Sequence, residues 1–142
     1  MKFHSFHLLL LAATCLAFSC GGEVNPAGIY KGKIVMEDGT NSVTLSLTED
    51  NRAEVRGLLP KTVRGTWEKD STGMGFGKNG VIASFDSKKD GEAFRVVLML
   101  QPDDEGLTLA DIRVRLLIEG KFSMLQSYTL KEKKPLLRLQ GK

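Results

Sequence analysis

Apolar and polar residues alternate along most of the chain. Val43, Leu45 and Leu47 are separated by Thr44 and Ser46, Ala53 and Val55 flank Glu54, and Phe94, Val96, Leu98 and Leu100 interleave with Arg95, Val97 and Met99. A period of two over several residues marks strands with one buried face. Turn signals divide these runs at short intervals: Asp38-Gly39, Asp50-Asn51, Asn79-Gly80, Asp90-Gly91 and Glu119-Gly120. Asn-Gly and Asp-Gly are strong hairpin signals because both residues accept positive φ at little cost. The spacing predicts about nine antiparallel strands in hairpin order. They fall near residues 28–36, 42–49, 51–58, 61–69, 73–77, 80–86, 93–100, 106–118 and 121–131.

The eighth of these is long, and its phase slips: Leu107 and Leu109 are odd, whereas Ile112, Val114, Leu116 and Ile118 are even. A bulge near Ala110-Asp111 reconciles the halves; Leu107–Ile118 is also the one stretch where a helix competes. A meander of short strands is best closed into a small barrel, which removes the exposed edges. The predicted fold class is therefore all-β, an antiparallel meander of about eight or nine strands closed into a barrel. Expected inward positions include Trp67, Met74, Phe76, Phe85, Phe94, Leu98, Phe122 and Met124. A barrel of about eight strands is filled by its own side chains or holds one small ligand. Gly57, Gly65 and Gly75 read as strand bends.

Composition adds bounds. The chain is 42% apolar and 26% charged, which permits a packed core and argues against disorder outside the ends. The formal charge of +3 is too weak a balance to argue for nucleic acid. Lys31, Lys33, Arg52, Arg56, Arg64, Arg95, Arg113 and Arg115 fall on predicted strands, with Glu54, Glu68 and Asp111 available to balance them on a solvated outer face. A cationic face for lipid phosphates is the competing reading.

The first twenty residues carry an address. Lys2 precedes the apolar run Leu8–Leu11 and the small-residue stretch to Ser19, the pattern of a secretory signal too short to anchor as a span. Cys20 after Ser19 resembles the lipobox of bacterial lipoproteins. The resemblance implies a signal peptide at 1–19 and lipid on Cys20. A tether at 20–27, a barrel domain at 28–131 and a basic C-terminal tail at 132–142 complete the expected organisation; the tail frays by default, with docking on the barrel, on a partner or on the bilayer surface as the alternatives. Cys15 is the weaker alternative, because Thr14 fits a lipobox poorly. Cleavage before Cys20 takes away His4, His7 and Cys15. The remaining chain then lacks histidine and a spare thiol, which excludes histidine-assisted serine or cysteine nucleophiles and zinc sites built on those ligands. No catalytic motif stands in what is left, so a non-enzymatic role is expected. A carboxylate pair such as Glu54 and Glu68 sharing a cleft would reverse that. Asp103-Asp104-Glu105 lacks the spaced ligands of a calcium loop, so no metal or cofactor is expected.

Gly28-Ile29-Tyr30-Lys31-Gly32, Val43–Leu47, Gly65-Thr66-Trp67 and Tyr128-Thr129-Leu130-Lys131 together resemble the small lipocalin-like barrels of bacterial lipoproteins, including the N-terminal domain of the copper-resistance lipoprotein NlpE. That domain's Cys-x-x-Cys has no counterpart in Val35–Asn41, so metal sensing does not carry over. The resemblance implies an envelope protein, outer membrane favoured over inner, that acts by binding a small hydrophobic ligand or another envelope component. The alternative is an accessory subunit of an outer-membrane assembly with a filled barrel. Tyr30 and Trp67, each an apolar body with a polar handle, are the candidate residues for a ligand mouth, and barrel closure is the competing role for both.

Overall fold

The computed structural model describes residues 25–70 and 79–139. Ten strands form one sheet: β1 (Gly28–Met36), β2 (Gly39–Leu47), β3 (Arg52–Arg56), β4 (Val63–Lys69), β5 (Val81–Lys89), β6 (Glu92–Pro102), β7 (Gly106–Ile118), β8 (Lys121–Tyr128), β9 (Leu130–Glu132) and β10 (Pro135–Leu139). Strands β1 to β8 follow one another as antiparallel neighbours, and β10 lies between β1 and β7 to close the ring. The protein is all-β, an eight-stranded closed barrel with short extra strands. The signal peptide, Cys20, Gly75 and the strand expected at 73–77 lie outside the described residues, as do Met74, Phe76 and the side chain of Met124.

Alternation sets the inside of the wall. Val43, Leu45 and Leu47 of β2, Val81, Ala83 and Phe85 of β5, and Val96, Leu98 and Leu100 of β6 are all buried, while the residues between them face outward. The phase slip in β7 is a bulge. Met99 pairs with Asp111 and Leu100 with Leu109, which leaves Ala110 unopposed and keeps both Leu109 and Ile112 in the core. No helix forms at 107–118. Asp90-Gly91 and Glu119-Gly120 turn with positive φ at both residues, the geometry that matches the twist of a tight hairpin.

The two ends of the barrel differ. At the base, the β2–β3 turn, the β6–β7 turn and Asn25–Ala27 lie against a filled interior, with Phe85, Leu45, Leu98, Leu100, Leu107, Leu136 and Pro26 fully buried. At the other end β1 stops at Met36, whose partner beyond the β1–β2 hairpin is Leu130. Lys121–Tyr128 therefore run past the end of β1 and, among the described residues, keep β7 alone as a paired neighbour. The β5–β6 and β7–β8 hairpins thus overhang this end as a flap.

The structure corrects four expectations. Residues 132–139 are not a frayed tail but dock on the barrel: Leu136 is completely buried, and Pro135 opens β10, where its missing N–H costs no ladder bond. The expected strand 121–131 is broken into β8 and β9, because its two parts pair with opposite neighbours, β7 and β1. Phe122 does not point inward. It pairs with Leu117 on the outer face of the flap, 42% exposed, with the Arg95 guanidinium 4.4 Å above its ring. The tether does not reach Ala27 either, since Arg138 donates to the carbonyl oxygens of Asn25 and Ala27 at 3.4 and 2.5 Å.

Candidate functional site

The flap and the open end together enclose a cavity of about 610 Å³. Its floor is Val96 and Ile112, where the core stops. Phe94, Val114 and Leu116 continue upward on the inner face of the flap, because inward positions keep their period of two beyond the filled layer. Met36 and the β3–β4 loop residues Leu58 and Leu59 form the facing wall. Gln126 and Tyr128 of β8 supply polar groups at one side. Around the rim stand Asp38, Asp90 and Glu92 against Lys89, so the entrance carries more negative than positive charge. An apolar wall with a few polar groups, at this volume, is what small-molecule sites generally have.

The structure places Tyr30 and Trp67 at the other end. Tyr30 is 2% exposed, and its hydroxyl donates to the Pro26 carbonyl at 2.7 Å. Burial pushes its phenol above the ordinary value, against the pull of the Arg138 guanidinium, which lies 6.0 Å from the ring centre. Trp67 is 7% exposed, and its Nε1 donates to the Thr48 carbonyl at 2.8 Å. Both polar handles are spent on backbone carbonyls at the base, and neither residue borders the mouth cavity. Of the described residues expected inward, Phe94 is the one that lines it. Leu58, Leu59 and the overhanging half of β7 escaped sequence reasoning, since alternation tells which face is inside but not which end is open.

On the outer face several arginines are paired with carboxylates. Glu54 accepts from Arg56 Nε at 3.0 Å and Arg64 Nε at 3.4 Å, Arg95 bridges to Asp86 at 2.6 and 3.0 Å, and Arg113 donates to Asp111 at 2.7 Å. Hydrogen bonding from Arg56 holds the Glu54 carboxyl below its usual range, the opposite of what a general acid needs. Glu68 lies four residues along β4 from Arg64, the cross-strand partner of Glu54, about 13 Å at strand rise, so the two carboxylates do not share a cleft. Asp103 turns its carboxylate on its own loop: Oδ1 accepts from the N–H groups of Glu105 and Gly106 at 2.9 and 2.8 Å, and Oδ2 from the Thr108 hydroxyl at 2.6 Å. Among the described residues no three acidic, histidine or cysteine side chains cluster as metal ligands.

The chain matches no family model, no curated protein and no solved structure.

Proposed function

We propose that this chain is a lipid-anchored protein of the bacterial envelope, of the lipocalin-like kind, whose barrel binds a small molecule at its open mouth. The observation that carries the reading is the 610 Å³ cavity with an apolar wall and a polar rim, opposite a filled base. Residues Phe94, Val114, Leu116, Leu58 and Leu59 hold an apolar body by burial, and Gln126 and Tyr128 are positioned to hydrogen-bond a polar end. The acidic rim of Asp38, Asp90 and Glu92 selects a neutral or positively charged headgroup over an anionic one.

Anchorage fits this polarity. Lipid on Cys20, five residues before Asn25, holds the base within about 18 Å of the bilayer and turns the mouth away from it, toward the aqueous side where a ligand arrives. An accessory-subunit role is favoured by a different observation, the exposed Leu117, Ile118 and Phe122 on the flap.

Native mass spectrometry of the chain from Cys20, produced in a bacterial periplasm, tests the proposal. A stoichiometric extra mass that disappears on denaturation is the expected result. A bare mass, with no uptake from a lipid extract or from long-chain amines, removes the ligand-binding reading and leaves the accessory role.

A further inference from the structure

Strand β8 has an open edge. Every other strand longer than three residues is paired on both sides at least in part, whereas Lys121–Tyr128 pair with β7 alone among the described residues. An unpaired edge presents a row of N–H and C=O groups that another strand can complete. Natural edges are blunted by charged side chains, above all lysine, by proline and by bulges. On β8 these devices are confined to Lys121 at the flap tip and one bulge: residues 122–130 contain no charged residue, no proline and no glycine. The one other nine-residue run of that kind in the described chain, 40–48, lies largely in β2, which is covered on both sides by β1 and β3. A single register slip opposite Arg115 and Leu116 is the sole irregularity on β8.

We propose that β8 is the interface for a second copy of this chain, the two β8 strands pairing antiparallel across a two-fold axis. The strand's own chemistry selects this occupant. Opposed over its whole length, an antiparallel copy sets Lys121 against Tyr128 and puts no like charges face to face, so self-pairing costs nothing electrostatically. A basic or acidic partner finds no complementary charge along residues 122–128. The eight-residue strand offers an edge of about 27 Å. Beside it Ile118 and Phe122 are 54% and 42% exposed, apolar surface that a neighbouring flap covers. The junction also places the copy's β8 next to Gln126 and Tyr128, so each flap lengthens the side wall of the other's mouth. The inference stands whatever molecule occupies that mouth.

The test is sedimentation velocity of the chain from Cys20, with Cys20→Ser to remove lipid, across a wide concentration range, together with amide exchange of residues 121–128. The expected result is a reversible dimer whose formation slows exchange along β8. Leu125→Lys and Leu125→Glu should each weaken the dimer about tenfold through like charge beside the axis, which falls between Met124 and Leu125 when Lys121 opposes Tyr128, and mixing the two variants should restore it. Unchanged thermal midpoints of the dilute variants show that the barrel is intact. A monomer at every concentration overturns the proposal. So does a dimer that survives both substitutions with β8 exchanging freely, or a β8 that gains protection only when vesicles of anionic phospholipid are added.

Discussion

The indole Nε1 of Trp67 donates to the carbonyl oxygen of Thr48 across 2.8 Å, and that bond ties the end of β4 to the β2–β3 turn beneath the core. The turn has other bonds of its own. The Thr48 carbonyl also accepts from the Asn51 N–H at 3.2 Å, and the Asn51 side-chain amide reaches the Trp67 carbonyl at 3.2 Å. Trp67→Phe therefore removes one bond without orphaning its acceptor. We expect a loss of about 1 kcal/mol or somewhat more from the missing bond and ring volume, read as a lower urea midpoint. Ligand uptake at the opposite end should be unchanged.

Closure by the C-terminal strand yields a second prediction. Leu136 is fully buried between β1 and β7, and a Cβ at Gly106 would sit 1.9 Å from the Leu136 carbonyl oxygen. The obstacle is backbone and cannot rotate away. Gly106→Ala must push β10 off β7, and Leu136→Ala leaves a cavity worth about 2–5 kcal/mol. Both variants should lower the thermal midpoint, and Gly106→Ala should in addition speed tryptic cleavage after Lys133. If cleavage there is as slow as in the parent, β10 does not depend on the close approach at Gly106.

Particular residues show what the sequence could tell. The ends of β1 and β7, and the bulge near Ala110, were legible because Asp38-Gly39 and Glu119-Gly120 mark the turns that follow them and a counted phase slip in β7 leaves one solution. Pro135–Leu139 was not legible: five residues beginning with proline carry too little pattern, and the partners that make them a strand, Ile29–Lys31 and Gly106–Thr108, are distant in sequence. Tyr30 and Trp67 were rightly chosen as residues with a polar handle. The end they occupy depends on relative strand lengths and register, which alternation does not encode. The open mouth follows from β1 stopping at Met36 while β7 runs on to Ile118.

Acid should weaken the fold through Asp103. Its carboxyl is held below the ordinary value chiefly by the Thr108 hydroxyl, with the N–H groups of Gly106 and Glu105 adding to this and burial opposing it. A folded-state pKa below the unfolded one gives stability that is present above the unfolded value, near pH 4, and is lost as pH falls through the folded value. Asp103→Asn should thus be less stable than the parent at neutral pH, and the gap should narrow as pH drops below about 4. Urea midpoints of both proteins over a pH series check this. A gap that stays constant into acid would show that Asp103 contributes no pH-dependent stability.

The mouth gives the most direct test of the binding proposal. Leu116 stands on the inner face of the flap, 41% exposed, above Val114 and beside the acidic rim. Because it is not part of the packed core, Leu116→Arg should leave the unfolding free energy, read from urea titrations, within about 0.5 kcal/mol of the parent, the usual range for surface changes. Within the cavity the same change replaces apolar wall with a guanidinium that an apolar ligand must desolvate. Affinity for a long-chain amine should fall at least about tenfold, equivalent to 1.4 kcal/mol, both from the lost contact and from repulsion of the positive head. A long-chain carboxylate should lose much less, since the new charge attracts its head while the wall is damaged equally. Isothermal titration with the amine and the carboxylate of equal chain length separates the two effects. Equal losses for both would mean that the rim of Asp38, Asp90 and Glu92 does not choose the headgroup.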